Sequence, residues 1–154
     1  MSENEAVGSS GGLKPITEGE WAGWSTWQSD AFEQRAGPFY ERINENGEMV
    51  SAFRAEPRHM NGGGFLHGGM LMSFADYALF VIAADVMAEG QHSVTVSCQT
   101  EFLKGASPLG QPVFADGEVT RNTRSLIFVR GRIYTENDGV LASFGGILKR
   151  VGTS

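Results

Sequence analysis

The stretch Asn61–Asp76, NGGGFLHGGMLMSFAD, passes from a glycine-rich polar segment straight into an apolar run that ends on a carboxylate. From about His67 to Glu89, Leu71, Phe74, Ala75, Ala78, Leu79, Ile82 and Val86 recur at helical spacing, and apolar residues fill most of the other positions. A helix apolar nearly all round is a buried one. Gly90 closes it. The helix nevertheless contains Asp76, and a buried carboxylate costs a large desolvation energy unless it is paired or hydrogen-bonded. No Lys or Arg lies between Arg58 and Lys104 to pair with it locally. Asp76 is therefore either rescued by a distant residue or kept for chemistry.

Upstream, Phe39 to Ile43 and Glu48 to Arg54 read as strands joined through Glu45-Asn46-Gly47, because Asn-Gly supplies the positive φ angles of a tight hairpin. A short helix near Ser29 to Arg35 precedes them and stops at Gly37-Pro38. Thr17 to Glu20 has the form of a capping box, although Gly19 and Gly23 weaken a helix there. Trp21, Trp24 and Trp27, three apart, would share a face of that helix and serve packing. Downstream, strands are expected at about Ser93 to Phe102, Pro112 to Arg121, Ser125 to Thr135 and Val140 to Lys149. Their short, turn-like links imply antiparallel neighbours. In the third of them Ile127, Val129 and Ile133 mark a buried face, opposite Phe128, Arg130 and Arg132. The class is α+β, an antiparallel sheet wrapped around a long central helix.

A chain of 154 residues suits one core, and residues 15–154 are taken as that single domain. Residues 1–14, MSENEAVGSSGGLK, lack the pattern of a signal peptide and read as a disordered tail. The lone Cys98 cannot form an internal disulfide, which favours a reduced, cytoplasmic setting. No apolar run reaches the ~20 residues of a membrane span, so no membrane partner is expected. A net charge of −6 argues against nucleic acid as partner. The charge is uneven: residues 1–103 carry 14 Asp/Glu against 5 Lys/Arg, whereas residues 104–154 carry 4 against 7. A small anionic ligand docking on the second half would suit this, and so would a solvated basic sheet face. His59, His67, His92 and Cys98 do not form a recognised metal-ligand spacing, so no metal is expected. There is no G-x-S-x-G elbow, and Gly63–Gly69 lacks the Lys and Ser/Thr of a phosphate loop.

Taken together, Asn61, then His67-Gly68-Gly69 six residues on, then Asp76 eight residues after Gly68, resemble the signature of the hot-dog-fold acyl-CoA thioesterases, in particular their PaaI-like branch. The order of elements from Gly37-Pro38-Phe39-Tyr40 to the last strand is also similar, so the resemblance covers about residues 15–150. It implies hydrolysis of an acyl- or aryl-CoA thioester to free acid and coenzyme A. The physics of the stretch is compatible. N–H groups at a helix start are unpaired within the helix and carry its positive dipole end, so Gly68 and Gly69 are candidate donors to a carbonyl oxygen gaining charge. The plainer reading is a loop that merely turns.

Asp76 is then the general base or nucleophile. His67 is open to three readings, orienting substrate, capping the helix or hydrogen-bonding the loop, and the resemblance gives it the role of organising the thioester pocket with Asn61. It also places Thr95 beside the Asp, to hydrogen-bond the attacking water or the carboxylate. Coenzyme A is part of the substrate and no separate cofactor is implied. Its phosphates call for cations, with Arg121 and Arg124 as candidates and the last strand's Lys149 and Arg150 close behind. Phe65, Met70, Met72, Phe74 and Tyr77 suggest an apolar acyl pocket. Eight residues of helix separate Gly68 from Asp76 by about 12 Å, too far for one carbonyl. A site shared across an isologous homodimer follows, and the family commonly pairs such dimers into a homotetramer. The alternatives are a non-catalytic acyl-CoA-binding hot-dog domain, and a hot-dog dehydratase or hydratase, which would need a His on a different motif.

Overall fold

The structure, a computed structural model, describes residues 12–152. In chain order it contains β1 (Leu13–Pro15), β2 (Ser25–Trp27), α1 (Ala31–Ala36), β3 (Tyr40–Ile43), β4 (Met49–Arg54), α2 (Gly68–Ala83), β5 (His92–Phe102), β6 (Pro112–Asn122), β7 (Leu126–Thr135) and β8 (Gly139–Val151). The strands form one antiparallel sheet in the order β1-β2-β3-β4-β6-β7-β8-β5, wrapped over α2. This is the α+β hot-dog arrangement.

The core lies between α2 and the inner sheet face, where Phe39, Phe53, Phe74, Leu79, Ile127, Ile133, Leu141 and Leu148 are buried. Two strand glycines let the helix press close. A Cβ at Gly146 would stand 2.4 Å from Leu79 Cδ1, and one at Gly117 2.8 Å from Ile82 Cδ1. The expected alternation in β7 holds, with Ile127, Val129 and Ile133 buried. So does the first hairpin, in which Gly47 takes φ 78° and Asn44 Oδ1 accepts from the N–H groups of Asn46 and Glu48.

Several expectations need correction. The central helix ends at Ala83 and gives way to a 3-10 turn at Ala84–Val86, short of Glu89. Nor is it buried all round: Gly69, Met72 and Phe80 are exposed, with Ser73 and Asp76 half-buried, and this spacing marks one open face. Asp76 lies on that face, not in the core. Gly68–Val86 does reach the length and hydropathy of a membrane span, but more than half of it is packed inside the protein.

The strands after α2 are not all sequential neighbours. β5 pairs with β8, so the 103–111 segment crosses the sheet instead of turning a hairpin; Leu103 and Lys104 donate to Leu141 O, and Leu66 donates to Ala106 O. At the N-terminus, residues 1–11 of the expected tail lie outside the described residues, while Leu13–Pro15 pairs with Ser25–Trp27. No helix follows Thr17, because Gly19 and Gly23 adopt φ 79° and 89° and turn the chain back on itself. The tryptophans therefore do not share a helical face. Trp24 is buried with Val50 and Ala52 on the outer sheet face, where Trp21 stacks on Tyr40 at 4.1 Å, and Trp27 packs on the main core.

Candidate active site

The site is built from the loop that leads into α2. Its entrance is fixed to α1: the Arg58 guanidinium donates to Arg35 O and Gly37 O, and His59 Nε2 meets Ala36 O at 2.7 Å. His59 Nδ1 accepts from Glu56 N–H at 3.0 Å, so the ring carries its proton on Nε2, and burial holds its pKa below the ordinary histidine value. Three carbonyls at the end of α1 are thus satisfied by consecutive residues. Asn61 then folds the glycine segment around itself. Its Oδ1 accepts from Gly63 N–H at 2.9 Å and Phe65 N–H at 3.1 Å, while its own N–H donates to Phe65 O at 2.7 Å. The side-chain oxygen is consumed by the loop, and the amide NH₂ has no partner among the described residues.

His67 caps α2, with Nδ1 accepting from Gly69 N–H at 2.8 Å. The neutral ring therefore carries its proton on Nε2. This bond removes one of the two expected oxyanion donors. Gly69 N–H is occupied, whereas Gly68 N–H meets no acceptor among the described residues. A Cβ at Gly68 would stand 3.1 Å from the Phe102 ring, so that ring closes over the backbone there.

Thr95 Oγ1 donates to Asp76 Oδ1 at 2.7 Å, which joins β5 to the open face of α2. The β5–β8 ladder slips between Thr95 and Ser97, a bulge beside the carboxylate. The sequence reading missed the ionisable groups on the other flank. Glu41 is buried and its Oε2 accepts from Tyr77 O–H at 2.8 Å; burial raises the Glu41 pKa, and hydrogen bonds from Tyr77 and Trp27 oppose the rise. The Tyr77 phenol is pushed far up by burial and by Glu41 beside it. Glu33, on α1, is pushed up to about 8 by burial and then by the negative charges of Asp30, Glu41 and Asp76. Strand alternation was the available signal, since Glu41 shares the inward face with Phe39.

Arg121 and Arg124 are exposed at the β6–β7 turn. Arg150 is not free for a ligand: Nη1 donates to Thr123 O at 2.7 Å, Nη2 to Asn122 Oδ1 at 2.7 Å and Val86 O at 3.0 Å, and Nε to Gln91 Oε1 at 3.1 Å. These bonds tie the basic turn to the far end of α2, about 27 Å from Gly68 at the helical rise. The expected apolar pocket does not form. Met70, Phe74 and Tyr77 belong to the core, whereas Phe65 and Met72 are exposed. A cavity of about 270 Å³ lies instead beside His67, between α1 and the first turn of α2. Among the described residues, no three His, Cys, Asp or Glu side chains gather as metal ligands.

The family model described as "Thioesterase superfamily" matches residues 63–142, which spans the glycine loop, α2 and most of the sheet. Over 111 residues the chain is 29% identical to "Putative esterase PA0474" of Pseudomonas aeruginosa, covering 72% of this chain and 81% of that one. Among solved structures, the PaaI protein of the E. coli phenylacetic acid degradation operon superposes with a TM-score of 0.68 at 23% identity, covering 82% of this chain and 88% of that one. The BH2602 protein of Bacillus halodurans, solved with CoA, superposes with a TM-score of 0.67 at 20% identity and covers 74% of each chain.

Proposed function

This chain belongs to the thioesterase superfamily, and from that premise we propose that it hydrolyses acyl-CoA thioesters at a site completed by two copies of the chain. The observation that carries the reading is Asp76, held by Thr95 on the open face of α2, two helical turns beyond a Gly68 N–H that is unpaired among the described residues. Asp76 acts as the general base. It takes a proton from water, whose oxygen attacks the thioester carbonyl carbon, and the resulting oxyanion accepts from Gly68 N–H at the positive end of α2. Collapse breaks the carbon–sulfur bond, and the proton on Asp76 passes to the departing thiolate. His67 Nε2–H and the Asn61 amide are the remaining donors at the loop.

Gly68 and Asp76 of one chain are about 12 Å apart along the helix. A second α2 running antiparallel brings the partner's Gly68 beside Asp76 and the reverse, as an isologous dimer does. The basic turn then falls into place. Ten residues separate Asp76 from Val86, so Arg121 and Arg124 of the Asp76-bearing chain lie about 15 Å from the shared carbonyl, within the span of an extended pantetheine arm. We assign them to the phosphates. The dimer is taken to pair further into a tetramer, which sedimentation would test.

Two measurements test the reading. Thiol release from acyl-CoA esters should occur without added metal, and Asp76→Asn should lose on the order of 10²–10⁴ in kcat. Activity abolished by chelator and restored by zinc would overturn the mechanism. Asn61→Ala and Asp76→Asn chains, refolded together, should recover roughly a quarter of their sites, because half the random dimers are mixed and each carries one intact site. Mixed dimers verified by mass spectrometry but no more active than either parent would sink the shared site.

A further inference from the structure

We infer that the cavity between α1 and the first turn of α2 receives the acyl group, and that Arg35 selects an acyl group ending in a carboxylate; the inference rests on the acyl-CoA reading above. Position comes first. The cavity, about 270 Å³, is lined by His67, Gly69, Met70 and Ser73, so it begins one residue from the Gly68 N–H that holds the thioester oxygen. At ~30 Å³ per water it displaces about nine waters, room for an acyl chain of roughly five to eight heavy atoms. Its lining is mixed: Met60, Met70 and Ala36 supply apolar wall, and Arg35 and Arg58 supply charge.

The end of a helix is ordinarily a poor neighbour for an anion, because its last carbonyls carry partial negative charge. Here those carbonyls are already used. Arg35 O and Gly37 O accept from Arg58, and Ala36 O accepts from His59. Arg58 is committed to them and to Glu56. Among the described residues, no carboxylate pairs with the Arg35 guanidinium. Arg35 is thus the cation left to a guest, and its planar fork matches a carboxylate bidentately. An uncharged acyl tail would cover this guanidinium without pairing it, which discriminates against such substrates.

The test compares glutaryl-CoA with pentanoyl-CoA, five carbons each, in wild-type and Arg35→Ala protein, by thiol release and by calorimetric Kd. Arg35 is exposed, so its removal should leave the melting temperature unchanged. The expected result is a wild-type preference for the glutaryl ester. Arg35→Ala should then weaken kcat/KM and Kd for that ester roughly 10- to 100-fold, the worth of one charge-assisted hydrogen-bonded pair. Pentanoyl-CoA should change less than about twofold. Equal weakening for both esters would assign Arg35 to a coenzyme A phosphate and overturn the proposal, as would no weakening for either. Should neither ester be hydrolysed, the hydrolytic reading fails, and the calorimetric comparison alone supports or overturns the subsite.

Discussion

Removing one hydroxyl, in Thr95→Val, tests the catalytic assignment without disturbing the fold. Valine keeps the branched shape and the strand preference of threonine, so β5 should hold its register. What disappears is the 2.7 Å bond from Thr95 Oγ1 to Asp76 Oδ1. A hydrogen bond to an ionised acceptor is worth about 1.5–3 kcal/mol, and the half-open site argues for the lower end. At ~1.4 kcal/mol per decade this is about a tenfold loss of kcat, because an unheld carboxylate spends less time aimed at the attacking water. KM should change little, since Thr95 orients the base and not the coenzyme. The assay is steady-state thiol release beside a thermal melt, with Thr95→Ser as the rescue, expected within about threefold of wild type. A Thr95→Val protein that keeps kcat within a factor of about two would refute the role of this bond and weaken Asp76 as the base.

Gly146→Ala should cost about 1–3 kcal/mol in urea with an unchanged m-value, because the new Cβ meets Leu79 Cδ1 at 2.4 Å and the less yielding Ser97 O at 2.8 Å; an unmoved midpoint would contradict it. Glu33 in the folded chain holds its proton from its ordinary 4.5 up to about 8, so stability should fall as pH rises through that window. At ~1.4 kcal/mol per pH unit, cut severalfold for the solvent that reaches the group, Glu33→Gln should gain about 1–2 kcal/mol at pH 8 and nothing near pH 4; equal effects at both would show that the group is not desolvated. Charge reversal at Arg121 or Arg124 should raise KM more than it lowers kcat, since phosphate contacts hold ground and transition states alike. Unchanged KM in both variants would remove that turn from the site.

The fold was legible wherever one periodicity dominated. Helical spacing through Leu71, Phe74, Ala78 and Ile82 marked the central helix, and alternation through Ile127, Val129 and Ile133 marked a half-buried strand. Sheet order was less accessible, because β5 and β8 pair through contacts made some fifty residues apart and no local turn chemistry records them. The tryptophan segment misled for a related reason: a three-residue spacing is compatible with a helix, but two glycines at positive φ decide the backbone before the side chains do. At the site, the spacing of Asn61, His67, Gly68 and Asp76 was visible as a pattern. The division of labour between Gly68 and Gly69 was not, since it depends on which ring nitrogen of His67 turns back to cap the helix. Glu33 and Arg35 carried no signal at all, because a short charged helix reads as solvent-facing until another element covers it.

The corrected position of Asp76 also explains why a carboxylate is tolerated in this helix. A core aspartate would need a buried partner, and no Lys or Arg lies between Arg58 and Lys104 to supply one locally. On the open face one threonine hydroxyl and solvent suffice. That face is also apolar, because Met72 and Phe80 flank Asp76 along it and are 44% and 37% exposed. Beside them β5 is an edge strand, paired among the described residues to β8 alone, with Val94 and Val96 also exposed. An uncovered edge and an apolar stripe side by side are what soluble chains avoid presenting to water. A second copy docked on both would extend the sheet, bury the stripe and enclose Asp76 in one step. Desolvation of the carboxylate would then arise on assembly and not on folding, at the moment the partner's Gly68 N–H and its positive helix end arrive beside it. On this argument the cost of burying the base is offset by the same contact that completes the site, and an isolated chain should fold yet show no turnover.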